Sequence, residues 1–215
     1  MVEGEYKYGE VRSFTTEKAN VSYVNGYQAV DLGLSVRWAS CNVGAESPEE
    51  YGSYFAWGET EEKTNYSWTT YKWYNGSSDT QTKYCTDSRF GRVDNKTTLD
   101  PEDDVAHVQW GGSWRMPIRA EQDELCTKCD WAWTTMNGVN GYQVTGPNGN
   151  SIFLPAAGYR GGEDVNGRGT SGYYWSAALY WEYSSYAYFL GFSDGYYSWY
   201  NNLRILGHTV RPVTE

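Results

Sequence analysis

The alternation of apolar and polar positions is clearest between Tyr27 and Ala45. In YQAVDLGLSVRWASCNVGA, Val30, Leu32, Leu34 and Val36 recur at every second position around Asp31-Leu32-Gly33, which predicts a hairpin and the first core strand pair. Residues 46–110 show no sustained 3.6 period. Their stretches SPEEYGSYFAWGET, YNGSSD and LDPEDD are polar, aromatic and turn-rich, which predicts a long structured loop region that carries function or packs through its own aromatics. After WGGSWRMP, the run IRAEQDELCTKC sets Ile118, Leu125 and Cys126 among acidic residues and predicts a helix of about three turns. VNGYQVT, PNGNSIFLPAAG and the final HTVRPV read as strands, with Asn-Gly turns at Asn140-Gly141 and Asn148-Gly149. VNGYQ occurs at 24 and again at 139, which hairpin chemistry explains without a repeat. The pattern as a whole predicts an α+β domain of short antiparallel strands, one or two helices and long structured loops.

Charge and composition narrow the partners. Lys plus Arg total 17 against 27 for Asp plus Glu, a formal net charge of -10. A nonspecific nucleic-acid binder needs a basic face, so no nucleic-acid partner is expected. No apolar run approaches the roughly 18–20 residues of a membrane-spanning helix, so no membrane insertion by this chain is expected. Four cysteines, Cys41, Cys85, Cys126 and Cys129, are too few to build a disulfide scaffold in 215 residues, although one or two bridges could form in an oxidising compartment.

The candidate catalytic constellations are sparse. Asp100, Glu102, Asp103 and Asp104 near His107 could offer oxygens to Ca2+, but the spacing matches no EF-hand, and a solvated turn whose Asp caps the next segment is the preferred reading. Cys126-Thr-Lys-Cys129 has C-x-x-C spacing without a second such pair, which favours a structural thiol pair or local bridge over a zinc site. The candidate bases are His107 and His208, and no G-x-S-x-G elbow is present. The reading is therefore non-enzymatic, with no cofactor expected and calcium not expected to be essential.

Residues 173–206 stand apart. They hold 9 Tyr, 3 Trp and 2 Phe, whereas the whole chain of 215 has 38 aromatics, so this segment is about three times as aromatic as the rest. Its fillers are Ser, Gly and Asn, the composition of a paratope in which Tyr and Trp give contact area with few rotamers to freeze. Alternation fails at Tyr196-Tyr197-Ser198-Trp199-Tyr200-Asn201-Asn202, so a displayed binding surface is expected rather than an aromatic core strand pair.

VDLGLSVRWASCNVGA, YGSYFAWGET, WGGSWRMP with its helix, NGYQVTGPNGNSIFLPAAGYR, GYYWSAA and GHTVRPV together resemble the FISUMP proteins of gut bacteria, which have a C-type lectin-like fold related to the formylglycine-generating enzyme. The resemblance runs from about Val30 to Val213. The C-terminal stretch more narrowly resembles the variable region of proteins diversified by a retroelement, in which template adenines are replaced at random. Changing the first two bases of an AAC codon reaches Tyr, Ser, Phe, Gly, Leu, Ile, Asp and Asn, but never Trp or Glu. The resemblance implies a ligand-binding set of Tyr180, Trp181, Tyr183, Ser185, Tyr186, Phe189, Gly191, Ser193, Asp194, Tyr196, Tyr197, Ser198, Tyr200, Asn202, Leu203, Ile205 and Leu206. Trp181 lies outside the reachable codons, as do Glu182 and Trp199. Trp175, Ala187, Leu190, Phe192, Trp199, Arg204 and Gly207 would be scaffold, and Leu203, Ile205 and Leu206 would be exposed beside Arg204. The region Val30 to Ser40 would pair with Thr209 to Val213.

The formylglycine-generating activity is not carried over, because no cysteine follows Cys129. Residues 1–19, with YGEVRSFTT, resemble the trailing strand of an immunoglobulin- or fibronectin-like module, the alternative being a plain edge strand, and 20–215 form the ligand-binding domain. The implied function is a surface-displayed adhesin or receptor-type protein, extracellular, at a cell surface or at a phage tail-fibre tip, that binds an unknown protein or glycan. The alternative is a fixed carbohydrate-binding lectin-like adhesin. The Glu-Pro-Asn and Gln-Pro-Asp tripeptides of calcium-dependent sugar sites are absent.

Overall fold

A computed structural model describes residues 21–76 and 79–215. The expectations for residues 1–19 lie outside the described residues. Every strand pair is antiparallel, and the two α-helices are short, so the chain is α+β with β predominant.

Strands β1 (Val21–Val24) and β2 (Tyr27–Val30) form a hairpin across Asn25-Gly26, whose φ values of 47° and 87° are those that an Asn-Gly turn supplies. The predicted hairpin then joins β2 to β3 (Arg37–Ala39), with Val30 opposite Trp38. Its connection is longer than the alternation suggested, because Leu32 and Val36 are buried from the loop rather than from strands. The C-terminal strand β12 (Val213–Thr214) pairs with β3, Val213 opposite Trp38, so the two ends of the domain meet as expected.

The loop region contains short 3-10 turns and one element that the sequence pattern missed, α1 (Val105–Trp110). Six residues are too few to display a helical period. Asp104 begins α1 by accepting from the amides of Ala106 and His107, the cap expected within the acidic cluster, but the expected solvated turn is corrected, since Asp103 and Asp104 are both buried. The predicted helix is α2 (Arg119–Lys128), in which Glu121 reaches back to the amide of Ile118 at 2.9 Å.

The second sheet contains β4 (Asp130–Met136), β5 (Val139–Thr145) and β6 (Ser151–Pro155). Here the expected turn at Asn140-Gly141 is corrected: both residues lie inside β5, and the turn is Asn137-Gly138, with φ values of 48° and 84°. Gly141 serves close approach instead, since a Cβ there would stand 2.3 Å from the Leu154 carbonyl oxygen. The other expected turn, at Asn148-Gly149, is present. A short hairpin follows, β7 (Tyr159–Gly161) with β8 (Asp164–Asn166).

Candidate ligand-binding face

The aromatic segment forms the third sheet. Strands β9 (Ser171–Leu179), β10 (Tyr186–Ser193) and β11 (Tyr196–Leu203) run in the order β11-β10-β9, with β10 central and Gly195 turning the β10 to β11 hairpin at φ 77°. The expected display is corrected at Phe189 and Tyr174. Both join the expected scaffold residues Trp175, Ala187, Leu190 and Phe192 in the core, because the central strand has neighbours on both edges and both faces are largely covered.

Strand parity divides the expected binding residues. The pairs Phe189 with Tyr200, Gly191 with Ser198, Ser193 with Tyr196 and Ala187 with Asn202 place those side chains on one face. Tyr173 and Trp175 of β9 join the same face opposite Gly191 and Phe189. The other face carries Tyr186, Tyr188, Leu190 and Phe192 with Leu203, Trp199 and Tyr197. That second face packs on α2 and the β4 to β5 hairpin: Tyr197 stacks on Trp131 at 4.4 Å, and the Arg119 guanidinium lies 3.7 Å from the Trp199 ring centre. An aromatic pair such as Tyr197 with Trp131 adds about 0.5–1.5 kcal/mol beyond the area it buries.

The first face opens toward the β10 to β11 turn, where Tyr173, Phe189, Tyr196 and Tyr200 surround a hollow of about 280 Å3. Gly191 forms its floor. A Cβ at that position would lie 2.8 Å from the Phe189 ring and 3.0 Å from that of Tyr200, so the missing side chain lets those rings approach. The rings run as a row, with centres 5.4 Å apart for Tyr173 and Phe189, 5.7 Å for Phe189 and Tyr200, and 6.2 Å for Tyr200 and Tyr196. Ser171 and Ser193 add hydroxyls at the rim, and Asp194 is exposed in the turn. Burial, and then the hydrogen bond with Tyr196, push the Tyr200 phenol up to about 12. Sequence reasoning missed Ser171 and Tyr173 as lining residues, because their place depends on the pairing of β9 with β10.

A second aromatic patch lies on the β9 to β10 loop. Trp181 is 69% exposed and Tyr183 47%, with Tyr180 and Tyr186 beside them and Phe90 edge-on to Tyr183 at 5.9 Å. Four further expectations are corrected. Ser185 is buried and accepts from Gln81 Nε2 at 2.9 Å, and Ile205 is buried in a cluster with Tyr54, Tyr66 and Tyr71, against which Leu203 and Leu206 are half-buried. Arg204 is drawn fully inside between loops: Leu203, Ile205 and Leu206 follow it along the chain, and Ser185 is held against it because its carbonyl accepts from the Arg204 amide at 3.0 Å. Of the expected scaffold, Trp175, Ala187, Leu190, Phe192, Arg204 and Gly207 are buried, and Trp199 is half-buried under Arg119.

His208 lies beneath the first face, fully buried, stacked on Trp175 at 3.7 Å and edge-on to Phe189 at 4.9 Å. Burial holds its pKa well below the ordinary value. The acidic cluster lies elsewhere in the fold. The ligand oxygens of Asp100, Glu102 and Asp103 lie within 4.8 Å of one another, but Lys83 bridges Asp100 and Asp103 at 2.6 Å each, and Lys72 and Lys96 add further pairs. Burial raises the Asp103 carboxyl, but hydrogen bonds from Lys83, Tyr84 and Lys72 outweigh it and hold the group below the usual carboxylate range. With its charge already matched by lysines, the cluster is expected to give no rise in melting temperature with calcium over EDTA, a comparison that a thermal melt makes directly. All four cysteines carry free thiols, and burial pushes Cys126 up to about 12 and Cys129 up to about 11. Neither is poised as a nucleophile.

Residues 130–213 match the family model DUF8237, a domain of unknown function. The DUF8237 match spans β4 to the first residue of β12 and so includes the whole of the third sheet. No curated protein and no solved structure matches the chain. Among the described residues, no helix is long and apolar enough to cross a membrane.

Proposed function

We propose that this chain is a non-enzymatic binding module of C-type lectin-like fold, displayed at a cell surface or phage tail-fibre tip. Its aromatic face is diversified by a retroelement and engages a protein or other macromolecular ligand. The observation that carries the reading is the sorting by strand parity. Gly191, Ser193, Tyr196, Ser198, Tyr200 and Asn202, all reachable from AAC codons, share one face, and the first three and Tyr200 line an open hollow, while the equally reachable Tyr186, Tyr197 and Leu203 fall on the other face. Of the residues assigned to scaffold, Leu190, Phe192 and Trp199 lie on the covered face, and Trp175 and Ala187 share the first face but are buried. A sheet held from behind by α2 and a tryptophan hairpin presents those side chains without loops to order, which spares a binder an entropic cost. The lectin-like fold is supported by the paired chain ends, the single longer helix and the long structured loop region.

The test is genomic first. A near-identical copy of the codons for 180–206, differing only where it carries adenines and lying beside a reverse transcriptase, supports diversification. Ordinary codons with no such copy overturn it. Binding through the face is tested separately by display: a library randomised at Tyr196, Ser198, Tyr200 and Asn202 is expected to yield binders to arbitrary proteins, while one randomised at exposed positions of β4 yields none. The row of tyrosine rings with serine hydroxyls at the rim also suits stacking on sugar rings, the geometry of a fixed carbohydrate-binding adhesin. Glycan arrays with and without calcium separate that reading.

A further inference from the structure

Several aromatic rings of this protein lie under its own cations. Lys63 lies over Tyr66 and Tyr71, Lys83 over Trp73 and Tyr84, Arg119 over Trp199 and Tyr188, Arg168 over Tyr51 and Tyr54, and Arg204 over Trp57, Tyr71 and Tyr84. The rings of the hollow have no such cover. Among the described residues, no lysine or arginine lies over Tyr173, Phe189, Tyr196 or Tyr200, and none lines the space between them. The cations of the adjoining elements are turned elsewhere, Arg119 onto the opposite face of the sheet and Arg160 onto Tyr54.

We propose that the hollow receives the guanidinium of an arginine presented by a basic protein partner, a reading that rests on the proposal that this face binds proteins. Three features converge on that occupant. Ring faces attract a cation through their quadrupole, and a planar guanidinium adds stacking that an ammonium lacks. The rim offers acceptor oxygens, from Ser171 and Ser193, with the exposed carboxylate of Asp194 in the adjoining turn. The chain as a whole carries a formal net charge of -10, which steers a basic surface toward it and disfavours an acidic one. The size agrees: about 280 Å3 falls just below the roughly 300–1,000 Å3 typical of small-molecule sites and suits one inserted side chain. The molecule already contains the same arrangement internally, where Arg204 sits among Trp57, Tyr71 and Tyr84 with centroid distances of 4.9 to 5.8 Å.

The experiment titrates the folded chain with N-acetyl-arginine amide and with N-acetyl-citrulline amide, its neutral near-isostere, while the ring-proton resonances of Tyr196 and Tyr200 are followed by NMR. The arginine probe is expected to shift both tyrosines and to bind about two- to fivefold more tightly than citrulline, the range of an exposed cation–π contact. The preference should shrink as salt is raised. Tyr200→Phe, which keeps the ring, should retain it, whereas the Tyr196→Ala, Tyr200→Ala double variant should lose it with its fold intact by circular dichroism. Equal shifts with citrulline, or none with either probe, overturn the proposal. Failure of the parent reading shows up differently, as display-selected binders that survive randomisation of the face.

Discussion

Replacing Arg204 with methionine is expected to cost about 3–5 kcal/mol in urea unfolding followed by tryptophan fluorescence, or to prevent folding, the effect of removing one member of a buried charged network. The side chain is fully buried, yet no carboxylate faces it among the described residues. Its charge is instead held by oxygen dipoles: the Tyr71 hydroxyl at 2.9 Å, the carbonyls of Ser184 at 2.8 Å, Tyr84 at 3.0 Å and Lys83 at 3.2 Å, and the amide oxygen of Gln81. Methionine fills much of the volume but leaves those oxygens buried without a donor, each costing about 1–3 kcal/mol before relaxation. Arg204→Lys retains the charge with fewer donors and no planar fork, and an intermediate loss is expected. The same bonds tie Ser184 to the loop at residues 83–84, while Gln81 holds Ser185. Faster amide exchange across 181–185 should therefore accompany the loss of stability and mobilise the patch that carries Trp181 and Tyr183. A variant that unfolds at the wild-type urea midpoint would contradict this account.

Acidification is expected to weaken the fold through His208 as pH falls below about 6.5. The folded chain keeps this imidazole neutral, because its burial opposes the charged form and holds the pKa well below 6.5. The unfolded chain regains an ordinary histidine and takes up a proton as pH falls through about 6.5. Stability from this group is thus complete above that value and is lost below it, by up to about 1.4 kcal/mol per pH unit until the folded pKa is reached. The loss between pH 8 and pH 5 is at most about 2 kcal/mol. His208→Gln should abolish most of that slope, whatever its effect on stability at pH 8. Asp94, Asp100, Asp103 and Glu124, which the fold holds below their usual range, lose their contribution only as pH falls through the carboxylate range, whereas burial raises Asp104, which takes up a proton in the folded chain before them and acts in the opposite sense, so the histidine is isolated by the difference between the wild-type and His208→Gln slopes. Parallel pH dependence in wild type and variant would show that another group carries it.

Local chemistry accounts for what could be read from the chain alone. The helix after Met116 declares itself through Ile118, Leu125 and Cys126 spaced among acidic residues, the hairpin at Tyr27 through alternation, and the cap in the acidic cluster through its aspartates. The concentration of aromatics in 173–206 marked the segment that forms the third sheet, and the scaffold residues implied by resemblance are buried or half-buried in it. Where two turns used the same chemistry, as at Asn137-Gly138 and Asn140-Gly141, the sequence had no means of choosing, since the choice rests on β6 approaching Gly141.

Composition determined that 173–206 would carry rings, but which rings reach solvent was a tertiary decision. Tyr196 and Tyr197 are adjacent and chemically identical, yet one is 56% exposed beside the hollow and the other is stacked on Trp131. Likewise Ile205 looked like a displayed residue until Arg204, drawn in by five oxygens from residues 71–84 and 184, carried it into the core. The physical reason is that a strand alternates its side chains across a sheet. Exposure is then set by what covers each face, here α2 and the β4 to β5 hairpin, whose contacts with this sheet come from residues 50 to 80 positions away in the chain.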